Sequence, residues 1–215
     1  TGMTGAFGLK AGELEGDILL NLDSETEGEL YVGCAGGIDA TIRFDFAKEA
    51  MPASYSAFEL TVKGMKGGHS GMDIILGRGN ANKTLFRILK ALEAVDVRLG
   101  NINGGSLRNA IPREAFCTIA VPTDKAQEAM NIVKELEAVV KSELSAVEPD
   151  LIITMTEASS CEFVMDTDAA KRVVRAIYAC PNGVYRMSDS MENLVETSSN
   201  LAIVKTDGDQ ILACA

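Results

Sequence analysis

The chain has 215 residues, 47% of them hydrophobic and 24% charged, as in an ordinary globular protein that can bury a sizeable core. Its 31 Asp and Glu residues outnumber 20 Lys and Arg residues, and the net charge of -11 argues against partners such as nucleic acid or anionic membranes. No apolar segment reaches the roughly 18 residues that a transmembrane helix needs.

An apolar segment near the N-terminus predicts the first strand. Residues Asp17–Leu22 read DILLNL, which is typical of a strand buried on both faces. Asp23 ends this strand, where ligand-binding residues gather in open α/β sheets. Its carboxylate and those of three following glutamates could bind a metal, but a solvated acidic turn is the more common explanation of such a cluster. The pattern changes near Gly36–Gly37, where we expect a domain boundary.

Alternating apolar and polar residues follow from residue 40 onward, and they predict half-buried antiparallel strands between amphipathic helices. In chain order we predict strands at 41–46 and 58–63, a helix at 81–94, strands at 97–102 and 115–121, a helix at 123–146, a strand at 151–155, a helix at 168–179, and strands at 201–205 and 210–214. The second half repeats much of the element order of the first. This predicts an α+β fold with duplicated halves, in which an open antiparallel sheet carries helices on one face in ferredoxin-like layers.

The only histidine, His69, lies among Gly67, Gly68 and Gly71. Glycine adopts backbone conformations closed to other residues and lets a ligand come close. A neutral imidazole can donate or accept a hydrogen bond near pH 7, and a protonated one stabilises negative charge. A lone histidine is more often a surface or core residue, but this setting favours a functional role. One histidine cannot form a catalytic triad or a zinc site alone.

Two further loops contain candidate binding residues. GRGNANK lacks the spacing and the Lys-Ser/Thr pair of a phosphate-binding loop, so we interpret it as a helix start with Asn80 or Asn82 as the cap. In NGGSLRNAIPREA, the amide of Asn109 could bond a substrate carbonyl or carboxylate. A turn that enters an antiparallel strand explains this second loop equally well.

The five cysteines are scattered, odd in number and without a CxxC pair. Two of them, Cys117 and Cys214, lie in apolar segments, as buried reduced thiols do. With one histidine in the chain, a zinc finger is excluded. Reduced cysteines favour a cytoplasmic protein.

Seven segments together carry a resemblance that runs almost from end to end: TGAFGL, DILLNLDSETEGELYVGCAGGID, LTVKGMKGGHSG, LGRGNANKTLFRIL, NGGSLRNAIPREAFCTIAVP, PNGVYRMSD and VETSSNLAIV. They resemble the bacterial aminoacyl-histidine dipeptidase family, carnosinase-like enzymes among the two-zinc metallopeptidases. Met72 and Asp73 depart from the Gly and Glu of that family, at positions that are not ligands.

The resemblance implies a two-zinc catalytic domain into which a lid domain is inserted, with the lid mediating formation of a homodimer. On this template, residues 1–37 are a fragment of the catalytic domain, and residues 38–215 are the lid, incomplete at its C-terminal end. Asp23 matches a metal-ligating aspartate. His69 matches a lid histidine that contacts substrate and stabilises the oxyanion in the partner subunit's active site, and Asn109 matches a lid asparagine that contacts substrate.

The family hydrolyses Xaa-His and other dipeptides with metal-activated water. Its remaining zinc ligands and its general base would fall outside residues 1–215, so we expect this chain alone to be inactive and not to hold the zinc pair. We also expect the strand at 17–22 to pack on the lid, to pair with a neighbouring molecule or to be poorly ordered, and the sheet to have an exposed edge near 209–215. The alternative is a non-catalytic α+β module for dimerisation or binding.

Overall fold

The computed structural model describes residues 4–20, 27–33 and 35–215. The chain divides into two compact units, Thr1–Ile38 and Asp39–Ala215. The division lies one residue from the boundary expected from the sequence. The assignment of the two units to a catalytic domain and a lid stays a prediction.

The described residues of the first unit are exposed and include one short helix, α1 (Thr4–Gly8). The strand predicted at 17–22 is wrong for residues 17–20, which form no strand. Ile18, Leu19 and Leu20 are each about four-fifths exposed. The physical reason is that an apolar run becomes a strand only when a neighbouring strand satisfies its backbone groups, and the described part of this unit contains none. Residues 21 and 22 lie outside the described residues.

The second unit is described throughout and contains thirteen strands and three helices. In chain order these are β1 (Thr41–Asp45), β2 (Lys48–Glu49), β3 (Tyr55–Lys63), β4 (Gly68–His69), α2 (Ala81–Leu92), β5 (Arg98–Gly104), β6 (Ala110–Ile111), β7 (Ala115–Pro122), α3 (Ala126–Glu143), β8 (Ile152–Glu157), β9 (Val164–Met165), α4 (Thr167–Ala179), β10 (Gly183–Met187), β11 (Val195–Ser199), β12 (Ile203–Asp207) and β13 (Gln210–Cys214).

Seven strands form one antiparallel sheet in the order β1-β13-β12-β5-β7-β3-β8. Within it, β3, β5, β7 and β8 with helices α2 and α3 make a β-α-β-β-α-β unit with ferredoxin-like strand order. Helix α2 contacts both α3 and α4, so the three helices share one face of the sheet. The predicted fold class is therefore confirmed. The second half of the chain extends this same sheet beyond β5.

The edges of this sheet differ from the expectation. We predicted an exposed edge near 209–215, and this is wrong because β13 is paired on both sides. Cys214 lies opposite Thr41 of β1 and opposite Ile203 of β12. Strand β1 returns from the start of the unit to cover β13, and the edges are β1 and β8.

The core lies between the sheet and its helices. Leu60 and Val62 of β3 are fully buried and face α2, whose Leu85, Ile88 and Leu89 are fully buried as well. A spacing of two residues on the strand and of three or four on the helix places these side chains on facing surfaces. In the described residues, no helix is long and apolar enough to cross a membrane.

Two helices begin with the side-chain caps that their sequences favour. The Asn80 Oδ1 atom accepts a hydrogen bond from the Lys83 N–H at 3.1 Å, which confirms Asn80, and not Asn82, as the cap of α2. At α4, Asp166 accepts the Ala169 N–H at 2.9 Å. Helix α3 is shorter than predicted, because a 3-10 turn at Thr123–Lys125 precedes it.

Candidate functional site

His69 lies on a loop of residues 64–79, which we call the His69 arm. Gly68, in strand β4 of the arm, has a φ of 146°, which side chains rarely permit. A Cβ at that position would lie 2.5 Å from Asp73 Oδ2 and 2.6 Å from Arg78 Nη1. The glycine therefore lets the two charged side chains pack directly on the backbone next to His69.

Polar contacts to this backbone hold the arm in shape. The His69 N–H donates to Asp73 Oδ2 at 2.8 Å, and the Asp73 N–H donates back to the His69 carbonyl at 2.9 Å. Arg78 lies 3.6 Å from the same carboxylate and donates to the Gly67 carbonyl at 2.5 Å. The arm is thus closed around an internal ion pair.

A buried carboxylate joins the two ends of the arm. Glu148, which is 2% exposed, accepts the Lys66 N–H at 2.7 Å and the Gly79 N–H at 2.9 Å. Two hydrogen bonds to one carboxylate fix the distance between the points where the arm leaves and rejoins the domain.

The imidazole of His69 is oriented by its own loop. The backbone N–H groups of Gly71 and Met72 donate to His69 Nδ1 at 3.1 and 3.3 Å. A neutral imidazole has one accepting and one donating nitrogen, so the hydrogen is carried by Nε2. Because the side chain is exposed, this Nε2–H can donate to a group outside the arm.

The structure brings Asn109 next to the arm. Strand β4 pairs with β6, so that His69 lies opposite Ala110. The Ser70 N–H donates to the Asn109 carbonyl at 3.0 Å. Asn109 is exposed, as His69 is. Two residues that are distant in the sequence therefore lie on adjacent backbone segments and are both accessible to a ligand.

A cleft of about 470 Å³ opens beside these segments. Gly68 and Ala110 line it together with three charged residues, Lys66, Arg113 and Glu114. Clefts of this size can hold small molecules. The sequence-based reasoning missed Lys66 and Arg113. The sequence did offer a signal for both: Lys66 directly precedes the glycine pair before His69, and Arg113 directly follows Pro112.

The predicted metal ligand cannot be placed in this site, because Asp23 lies outside the described residues. Among residues 4–20, 27–33 and 35–215, no group of three or more His, Cys, Asp and Glu side chains is arranged to hold a metal ion. The described residues therefore do not fit a pair of zinc ions.

None of the four cysteines that the structure describes lines the cleft beside His69 and Asn109. Cys117 and Cys161 are buried, and burial raises the pKa of both thiols, so they stay protonated at neutral pH. Cys180 and Cys214 are only half-buried, which corrects the prediction of a buried thiol for Cys214. Cys214 is the last residue of β13, and the end of a strand is covered less completely than its middle.

Comparisons with known proteins agree with the resemblance seen in the sequence. Residues 60–148 match the peptidase dimerisation domain. The chain is 46% identical over 215 residues to the cytosol non-specific dipeptidase of Escherichia coli (strain K12). This match covers 99% of this chain and 44% of that protein. The crystal structure of aminoacylhistidine dipeptidase from Vibrio alginolyticus matches with a TM-score of 0.88 and 48% identity, over 99% of this chain and 44% of that one. The chain is thus similar to these dipeptidases over almost its whole length.

The chain spans less than half the length of the dipeptidases it matches. Both His69 and Asn109 fall within residues 60–148, the segment that matches the dimerisation domain. The two candidate site residues thus lie in the segment that is similar to a domain associated with dimerisation.

Proposed function

We propose that this chain is the lid of a dipeptidase that acts as a cytoplasmic homodimer, and that His69 serves the active site of the partner subunit. The similarity to dipeptidases over 99% of this chain and the dimerisation-domain match at 60–148 support this proposal. Residues 1–37 would then be a fragment of the catalytic domain, and the substrates would be Xaa-His and other dipeptides.

The observation that carries the proposal is the orientation of the His69 imidazole. Two backbone N–H groups occupy Nδ1, which leaves an exposed Nε2–H donor in the neutral ring. During hydrolysis of a peptide bond, negative charge develops on the carbonyl oxygen. A donor aimed at that oxygen stabilises the transition state more than the ground state. The Nε2–H donor of His69 is exposed, and the described residues hold no metal site beside it. A donor of this kind fits a role in an active site that other residues form.

Asn109 would bind the same substrate. Its amide can donate and accept at once, so it can bond a carbonyl or a carboxylate. Its backbone is held against the arm by Ser70, which keeps it beside His69. The adjoining cleft offers Lys66 and Arg113 to the charged end of a dipeptide.

For the whole protein, we propose an active site with two zinc ions, one of whose ligands would be Asp23. The described residues do not fit them, so the part we assign to this chain is limited to substrate contact and hydrogen-bond donation. The chain alone would then be inactive. A dimerisation module without catalysis is the alternative that the match at 60–148 also supports.

The test uses the whole protein with the substitution His69→Ala, with Tyr185→Ala as a control that removes another exposed ring, on β10. Loss of one oxyanion donor lowers kcat about 100- to 1000-fold, so we expect this decrease for His69→Ala at unchanged dimer content. Asn109→Ala should chiefly raise KM. Turnover of an Xaa-His dipeptide and light-scattering mass give both readouts.

Unchanged kcat in His69→Ala would exclude the catalytic role. Loss of activity together with loss of the dimer would make His69 a structural residue instead. A whole protein that dimerises but cleaves no dipeptide would favour the non-catalytic module.

A further inference from the structure

The β10–β11 hairpin lies outside the segment that matches the dimerisation domain, yet its base reaches the site. Asn182 directly precedes β10, and Asn200 directly follows β11. Both meet Asn80, whose Nδ2 donates to Asn182 Oδ1 at 2.9 Å and to Asn200 Oδ1 at 3.2 Å. Asn80 and Asn200 are 5% and 8% exposed. The base of the hairpin is therefore closed by a network of three amide side chains, of which Asn80 and Asn200 are buried.

One end of this network holds the strand that carries the site. Asn200 Nδ2 donates to the Ala110 carbonyl at 2.9 Å. The preceding carbonyl, that of Asn109, accepts the Ser70 N–H from the His69 arm. Successive carbonyls of an extended strand point to opposite sides. Strand β6 is thus bound by the arm on one side and by Asn200 on the other.

We propose that Asn200 is a positioning residue, which keeps His69 and Asn109 in place by holding β6. This inference rests on the proposed function. Strand β6 has two residues and pairs with a β4 of equal length, so few ladder bonds fix it. Its placement depends on the contacts at its flanks, and Asn200 supplies a buried one. A displacement of about 1 Å at a catalytic group can lower the rate about 100-fold.

Asn182 provides a matched control within the same network. Its Oδ1 accepts hydrogen bonds from Asn80 Nδ2 and from the Leu201 N–H, both at 2.9 Å. It has no hydrogen bond to β6 among those of the described residues. Its replacement loosens the base of the hairpin and leaves the bond from Asn200 to Ala110 in place.

The experiment is a double-mutant cycle in the whole protein, with Asn200→Ala, His69→Ala and the double variant, and with kcat as the readout. We expect Asn200→Ala to lower kcat about 10- to 100-fold, and to lower it no further when His69 is already absent. Asn182→Ala should keep kcat within about threefold of the wild type at a similar loss of thermal stability. Should Asn200→Ala fail to fold, Asn200→Asp takes its place, because it removes the Nδ2 donor at almost unchanged volume and keeps Oδ1 as an acceptor for Asn80.

Two results would overturn the inference. One is a kcat of Asn200→Ala equal to that of the wild type, while the kcat of His69→Ala is decreased. The other is an equal fold-decrease in kcat from Asn200→Ala whether or not His69 is present. Two independent effects on kcat multiply, so this result would show that Asn200 does not act through His69. Wild-type turnover in His69→Ala would instead overturn the proposed function, so the two failures are distinguishable.

Discussion

The helix-covered face of the sheet and the His69 arm are held in shape by different forces. On the helix face, side chains such as Leu60 and Leu85 are fully buried and pack against one another. In the arm, His69 is exposed, and the backbone is fixed by hydrogen bonds that it donates to the carboxylates of Asp73 and Glu148 and one that it accepts from Arg78. Hydrophobic burial supplies most of the stability of a domain. We therefore expect stability and activity to be separable between the two regions.

Among the substitutions that leave the His69 side chain in place, Gly68→Ala should have the largest effect on activity. The new Cβ would meet Asp73 and Arg78 at 2.5 and 2.6 Å, on a backbone with a φ of 146°, so the arm must move. Displacement of His69 should lower kcat about 100-fold. Because the arm contributes little to the core, the melting temperature should change by only a few degrees. Steady-state kinetics and thermal unfolding of the whole protein measure the two effects.

Gly37→Ala is the control for this substitution, since nothing lies within 4 Å of a Cβ there. It should leave both kcat and stability at the wild-type level. Full activity in Gly68→Ala would mean that the geometry of the arm does not matter to turnover.

A smaller effect, on stability alone, is expected for Asp166→Ala on the helix side. Asp166 accepts N–H groups from Ala169 and Ala47, and loss of such a helix cap costs about 1 kcal/mol. These bonds lower the pKa of the carboxyl group below its usual value. The stabilisation is therefore present above the unfolded-state pKa, about 4, and is lost as the pH falls through the lower folded-state value.

Urea unfolding of the whole protein at neutral and at acidic pH measures this difference, with Asp168→Ala, on the first turn of α4, as the control. The gap between wild type and Asp166→Ala should close in acid, while kcat at neutral pH stays unchanged. A large decrease in kcat would contradict the separation of the two regions.

The sequence predicts the helix-covered sheet well because periodicity encodes burial. The alternation at 58–63 and the helical spacing from Ala81 to Leu92 each identify one element and its buried face. Which strands become neighbours is not encoded locally, and for this reason β13 was wrongly expected at an edge. The apolar run at 17–20 was misread for the same reason, since its pattern says nothing about a partner strand.

The site could be predicted only in part. Glycines identified His69, and an amide beside a proline identified Asn109. The contacts that orient them are long-range or involve the backbone, such as the N–H groups at Nδ1 and the bond from Asn200 to Ala110. Strands β10 and β11 were missed because most of their side chains are exposed and leave no alternation to detect.

The central claim is that His69 acts in the partner subunit, and mixed dimers test it most directly. His69→Ala protein is mixed with Asp23→Asn protein, which keeps His69 but loses the proposed metal ligand. Each variant alone should be nearly inactive. If His69 acts across the dimer, mixing restores up to about one active site in four, because half of the randomly formed dimers contain one complete site. Mixed dimers that form, as native mass spectrometry would show, but stay inactive would contradict the account.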